Sequence, residues 1–231
     1  MNIYGFILDN RELFKFIFTA VIGIICLSIV LKTGRLFKLS LHQGLRYFRN
    51  AFFFYGLAFI ARYFLGTSPF LSTLGSNYYL SMNLVFEFFL MMAGFSLLYS
   101  LLWKKFEPEK ESFSSLLNLR IFIFYLISLT IGLLDILWNT HFFMFAVQII
   151  LFFYASLISY ENYVRNEKKQ GFSRLYFFIM LLNFVAWVLN FIIAIIFDWN
   201  QTGMIIIYSI ISLIFLLFFY SVMNATRKSK I

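Results

Sequence analysis

Seven apolar runs follow one another along this chain, each near the ~20 residues that an α-helix needs to cross ~30 Å of hydrocarbon. They cover 14–31, 47–65, 78–102, 119–138, 142–160, 175–197 and 204–223. Isolated spanning strands would leave backbone groups unsatisfied in lipid, and the alternating ~10-residue pattern of an outer-membrane barrel is absent. The expected fold is therefore an all-α integral membrane protein: one seven-transmembrane-helix bundle occupying residues 1–231 as a single domain. Composition agrees. Hydrophobic residues make up 62% of the chain and charged residues 13%, about half the charged share of a soluble domain. A soluble fold could not hide that much apolar surface.

The loops orient the bundle. Of the 19 Lys and Arg, all but Arg11, Lys15 and Arg62 fall in alternate connections, within the first three residues of the run that follows one (Arg49, Arg120), or at the C-terminus. The connections 66–77, 139–141 and 198–203 carry neither residue. By the positive-inside rule the basic side is cytoplasmic, which puts the N-terminus outside and the C-terminus in the cytoplasm of a multi-pass protein of the cell membrane. The net charge of +9 is then topogenic, and nucleic acid is not an expected partner. The first run follows Asp9, Arg11, Glu12 and Lys15 and lacks a small-residue cleavage site, so it reads as a retained span. Cys26, the single cysteine, lies inside that run and reads as a packing residue.

Arg35, Lys38, His42, Arg46 and Arg49 recur at spacings that gather them on one helical face of the first basic connection. The plain reading is the wet, positively charged start of the second helix. The functional one is a face that grips anionic lipid or a cytoplasmic partner protein. Ser40 and Gln43 have capping-box spacing, so the second helix is expected to begin near Leu41.

Ionisable groups inside spans cost a few kcal/mol each, so they have partners or tasks. Three stand out, and all fall in the outer half: Arg62, Glu87 and Asp135. Glu87 is the deepest, roughly 14 Å from the outer end of its helix at ~1.5 Å per residue. Asn83 and Tyr79 share its face. Asn183, Trp187 and Asn190 form a polar stripe on the sixth run, and Gln148 lies at comparable depth on the fifth. Turned inward, these faces would make a polar chamber lined by Arg62, Asn83, Glu87, Asp135, Gln148 and Asn190. Such a chamber would hold an unknown small ligand or ion, with Glu87 at its centre. In the plainer reading the same groups bond to one another between helices. Arg62 and Asp135, so near the interface, read individually as anchors.

No catalytic residue, metal site or cofactor is expected. The seventh run has no Lys for a retinal Schiff base. His42 and His141 fall on opposite sides, which disfavours paired haem ligation. HExxH, P-loop and GxSxG motifs are absent. The chain is expected not to be an enzyme.

The second run opens with Gln43-Gly44, then Arg46 and Tyr47-Phe48. The sixth opens with Gln170-Gly171, then Arg174 and Tyr176-Phe177, with two residues inserted. Chance explains short matches of this kind in a Phe-rich chain. A true repeat would give a three-plus-one-plus-three arrangement that resembles the SWEET sugar transporters in topology. The proline hinges of that family are missing, because Pro69 and Pro108 both lie in loops.

Three functions are left. The first is a receptor-like or sensory module that binds an external ligand and signals through a separate cytoplasmic partner. The second is a small-solute or ion transporter or channel. The third is a non-catalytic membrane scaffold or homo-oligomeric subunit. Polar residues in the inner half are sparse, namely Asn183, Ser96, Tyr99 and Ser156, and that tips the sequence towards the first.

Overall fold

The computed structural model describes residues 11–40, 43–65, 76–106, 119–165, 171–196 and 201–228. Among them every regular element is helical: α1 (Arg11–Ser40), α2 (Gln43–Phe59) running into a π-helical turn (Ile60–Leu65), α3 (Ser76–Phe106), α4 (Leu119–Leu137), α5 (Phe142–Arg165), α6 (Gly171–Ile196) and α7 (Gln201–Lys228). They overlap all seven apolar runs. Five of them, α1, α3, α5, α6 and α7, are long and apolar enough to cross a membrane. The other two are shorter. The π turn interrupts α2, and the apolar part of α4 is Ile121–Leu137. The whole is the architecture of an α-helical membrane protein.

Several helices outrun their apolar cores. At ~1.5 Å per residue, the 30 residues of α1 extend about 45 Å, so its basic end projects well beyond ~30 Å of hydrocarbon. Ser40 closes α1 and α2 is described from Gln43, with Leu41 and His42 lying outside the described residues.

Six helices close into a ring in the order α1, α2, α3, α5, α6, α7, with α7 packed back on α1. The ring is two arcs in chain order, α1–α2–α3 and α5–α6–α7, joined at both seams. α4 stands outside it against α3 and α5. Its sequence explains that position. Ile121, Ser128, Ile131, Gly132 and Asp135 form one buried stripe at helical spacing, while Phe122, Ile123, Leu126, Leu129 and Leu133 are exposed. A helix with a single narrow contact face lies on the rim of a bundle.

Some hydroxyls inside the helices bond to their own backbone, while Ser128 Oγ and Ser159 Oγ are buried with no hydrogen-bond partner among the described residues. Thr33 Oγ1 donates to the Ile29 carbonyl at 2.6 Å and Ser156 Oγ to the Phe152 carbonyl at 2.7 Å. Towards the basic end, aromatic rings fill the interior. Phe52 meets Phe48 and Phe218 with ring centroids 4.9 Å apart in both cases, and Phe48 also meets Tyr176 at 6.1 Å.

Candidate functional site: two cavities flanking helix α3

Glu87, Asp135, Asn190 and Arg62 gather towards the end of the bundle opposite the basic loops. They occupy two cavities separated by the first turns of α3.

The lateral cavity, about 90 Å³, lies between α3, α4 and the α4–α5 turn and is lined by Asn83, Glu87, Asp135, Thr140 and His141 among others. Its construction starts at the turn. α4 ends with Asn139 in the left-handed region, φ 50°, which an Asn side chain tolerates better than most. The chain then reverses within three residues. His141 sits at the N-cap of α5, where its carbonyl accepts from the Phe145 amide at 3.1 Å. Asp135, a turn back in α4, reaches over to the same helix end. Its Oδ1 accepts from the Phe143 amide at 3.0 Å and its Oδ2 from the Met144 amide at 2.8 Å. Thr140 Oγ1 adds a third bond at 3.2 Å. A carboxylate there satisfies two amides that have no intrahelical partner and complements the positive end of the helix dipole.

That clamp aims His141 at α3. Its Nδ1 lies 2.5 Å from Oε1 of Glu87. Glu87 is 1% exposed and His141 is 32% exposed, so the pair spans the boundary between core and surface. Gly132 lets α4 approach. A Cβ at that position would fall 2.8 Å from Leu84 Cδ1 and 3.8 Å from Glu87 Oε2. The second carboxylate oxygen, Oε2, is buried with no hydrogen-bond partner among the described residues. An orphaned buried acceptor of this kind carries a free-energy penalty.

The axial cavity, also about 90 Å³, lies inside the ring and has room for a few waters or one small organic molecule. Arg62 reaches it from the π turn, Asn183, Trp187 and Asn190 from α6, and Tyr208 from α7. The Arg62 guanidinium lies 4.5 Å from the centre of the Phe86 ring, a cation–π contact. Phe86 lines the axial cavity and its neighbour Glu87 lines the lateral one. Arg62 also acts electrostatically on Glu87. The two cavities therefore share the wall at Phe86–Glu87.

The six residues expected to line one chamber are thus distributed. Asn83, Glu87 and Asp135 come together in the lateral cavity, and Arg62 and Asn190 in the axial one. Gln148 lines neither. It is fully buried, and its Nε2 donates to the Leu90 carbonyl at 3.0 Å and to Met91 Sδ at 3.4 Å, tying α5 to α3. The α6 stripe of Asn183, Trp187 and Asn190 does face the interior, although Asn183 donates to its own helix at Ile179, 3.0 Å away. Of the basic face, Arg35 is exposed while Arg46 and Arg49 are half-buried. His42 and the side chain of Lys38, like that of Tyr79, lie outside the described residues. Sequence reasoning did not assign His141 a partner, because Glu87 is 54 positions upstream. Its place just before the apolar run at Phe142 was the available signal.

Among the described residues, no group of three or more His, Cys, Asp or Glu is arranged to hold a metal ion. Asp135 has both oxygens engaged by the α5 terminus, which removes it as a free ligand. No protein family, curated relative or solved structure matches the chain.

Proposed function

We propose that the chain is a receptor-like or sensory module of the cell membrane. In this reading seven helices span the bilayer, the N-terminus is outside and the C-terminus is cytoplasmic. The lengths of the two shorter elements come close to the ~30 Å of hydrocarbon and support counting them as spans. The 17 residues of α2 with the six of its π turn reach about 34 Å, and the 19 of α4 about 28 Å. The one-sided Lys and Arg distribution supports the orientation.

One observation carries the functional reading. In this orientation the axial cavity falls towards the outer side, with a guanidinium, two amides and an indole around it, and the ring contacts among Phe48, Phe52, Tyr176 and Phe218 lie towards its basic side. A cavity with packed aromatic rings towards its cytoplasmic side would suit binding better than passage. Mostly apolar walls with a guanidinium and amides favour a small molecule with an apolar body and an anionic or carbonyl end. Ligand contact with Arg62 and Phe86 would bear directly on the Glu87–His141 contact across the shared wall. From there helix movement would pass to a separate cytoplasmic partner through the basic loops.

The test uses benzoate as the probe on protein reconstituted in lipid nanodiscs. Benzoate quenches Trp187 fluorescence, Trp187→Phe removes the quenching, and Arg62→Gln weakens binding about tenfold or more. Equal quenching in wild type and Arg62→Gln contradicts the reading.

The unpartnered Oε2 of Glu87 favours a second reading, a transporter that uses this carboxylate as a proton or cation site. Benzoate or cation flux into proteoliposomes, abolished by Glu87→Gln, would establish that alternative.

A further inference from the structure

Away from both cavities, the outward side of the α1–α2 pair carries an apolar groove of about 510 Å³. Gly23 and Ala20 form its floor on α1 and Gly56 on α2. It runs from Phe16 to Val30, roughly 20 Å at ~1.5 Å per residue. Thr19 is the one hydroxyl-bearing residue in its lining. A Cβ on Gly23 would meet nothing within 4 Å, so the slot is open down to the backbone.

One turn beyond Val30, at the basic end, Gly34 faces Arg49 of α2. A Cβ there would lie 3.8 Å from Arg49 Cδ and 4.0 Å from its Nη1. The arginine therefore lies about one turn past the end of the groove. Arg49 is half-buried and has no carboxylate or hydrogen-bond acceptor among the described residues, and the charge recorded acting on it is a second guanidinium, Arg46. Arg49, lacking a counter-charge among the described residues and standing beside a second guanidinium, is suited to hold an anion.

We infer that the α1–α2 groove binds one anionic phospholipid of the inner leaflet, with an acyl chain in the slot and the phosphate on Arg49 and Arg46. The slot ends about one turn short of Gly34 and Arg49, and slot and cations match in chemistry the two ends of such a lipid. A helix from a second copy fits worse. Ile24 and Leu27 stand 65% and 59% exposed on the rim and hold a cylinder ~10 Å across away from the floor, yet leave a channel of chain width. The inference rests on the membrane-spanning reading and not on any ligand in the axial cavity.

The test reconstitutes the whole chain in nanodiscs of equimolar phosphatidylglycerol and phosphatidylcholine and counts co-purifying lipid by native mass spectrometry. Phosphatidylglycerol should be retained about tenfold over phosphatidylcholine. Arg46→Gln combined with Arg49→Gln should remove that preference. Gly23→Leu puts a side chain into the slot, where a Cβ meets nothing within 4 Å, and should displace the bound lipid, while circular dichroism and elution volume stay unchanged. Equal retention of the two lipids, or retention unaltered by the arginine changes, overturns the proposal. So does a dimer that Gly23→Leu dissociates with no loss of lipid. Benzoate quenching of Trp187 on the same preparations reads the axial cavity separately, so either idea can fail alone.

Discussion

Glu87 on α3 and His141 at the start of α5 meet at 2.5 Å, and the turn carrying the histidine is held by Asp135 through the Phe143 and Met144 amides. The two carboxylates at this end of the bundle thus have different tasks. Asp135 fixes backbone, and Glu87 receives the side chain that this backbone presents.

Removing the histidine strands a buried carboxylate. His141→Ala should destabilise the protein by about 1–3 kcal/mol, read as a lower thermal midpoint in detergent. Glu87→Leu in the same chain should recover most of the loss, because the orphaned group is then gone. If the two changes simply add, the contact contributes nothing.

Asp135→Ala removes the cap of α5. A cost of about 1–2 kcal/mol is expected, with faster hydrogen exchange at the Phe143 and Met144 amides than at amides deeper in α5. Uniform exchange along the helix would show that the clamp is not what holds this terminus.

Gly94 permits the close approach of α3 and α5, since a Cβ there would fall 2.7 Å from Gln148 Oε1. Gly94→Ala should lower the thermal midpoint, by about 1–3 kcal/mol in stability. Gln148→Ala should relieve it in the double variant. No relief would place the strain elsewhere.

The aromatic block is a packed core. Phe52→Ala, at a site fully buried against Phe48 and Phe218, should cost about 3–5 kcal/mol and make benzoate-loaded proteoliposomes leak. Stable, tight liposomes would mean that these rings do not seal the axis.

The helices were legible in sequence because their driving pattern is local. Some 20 consecutive apolar residues need no partner to declare a span. The α6 stripe was legible for the same reason, as Asn183, Trp187 and Asn190 share a face at helical spacing. The division into two cavities was not. It depends on α4 standing outside the ring and on Gly132 bringing that helix against Glu87, and both are long-range packing outcomes. Gln148 looked like a lining residue because depth is readable from sequence while rotation about the helix axis is not. His141 looked like an isolated loop residue because its partner is distant in the chain. The π turn that carries Arg62 left no sequence signal.

The most direct test of an outward-facing axial site labels cysteines from each side of the membrane. Cys26 is buried and is replaced by Ser. Single cysteines are then placed by Asn190→Cys in the axial cavity and by Phe218→Cys in the aromatic block beneath it. A membrane-impermeant thiol reagent is applied to right-side-out and inverted vesicles. Position 190 should react only from the outside, and position 218 from neither side. Reaction of position 190 from the cytoplasmic side, or of position 218 from either side, would contradict a cavity that opens outward above a closed axis.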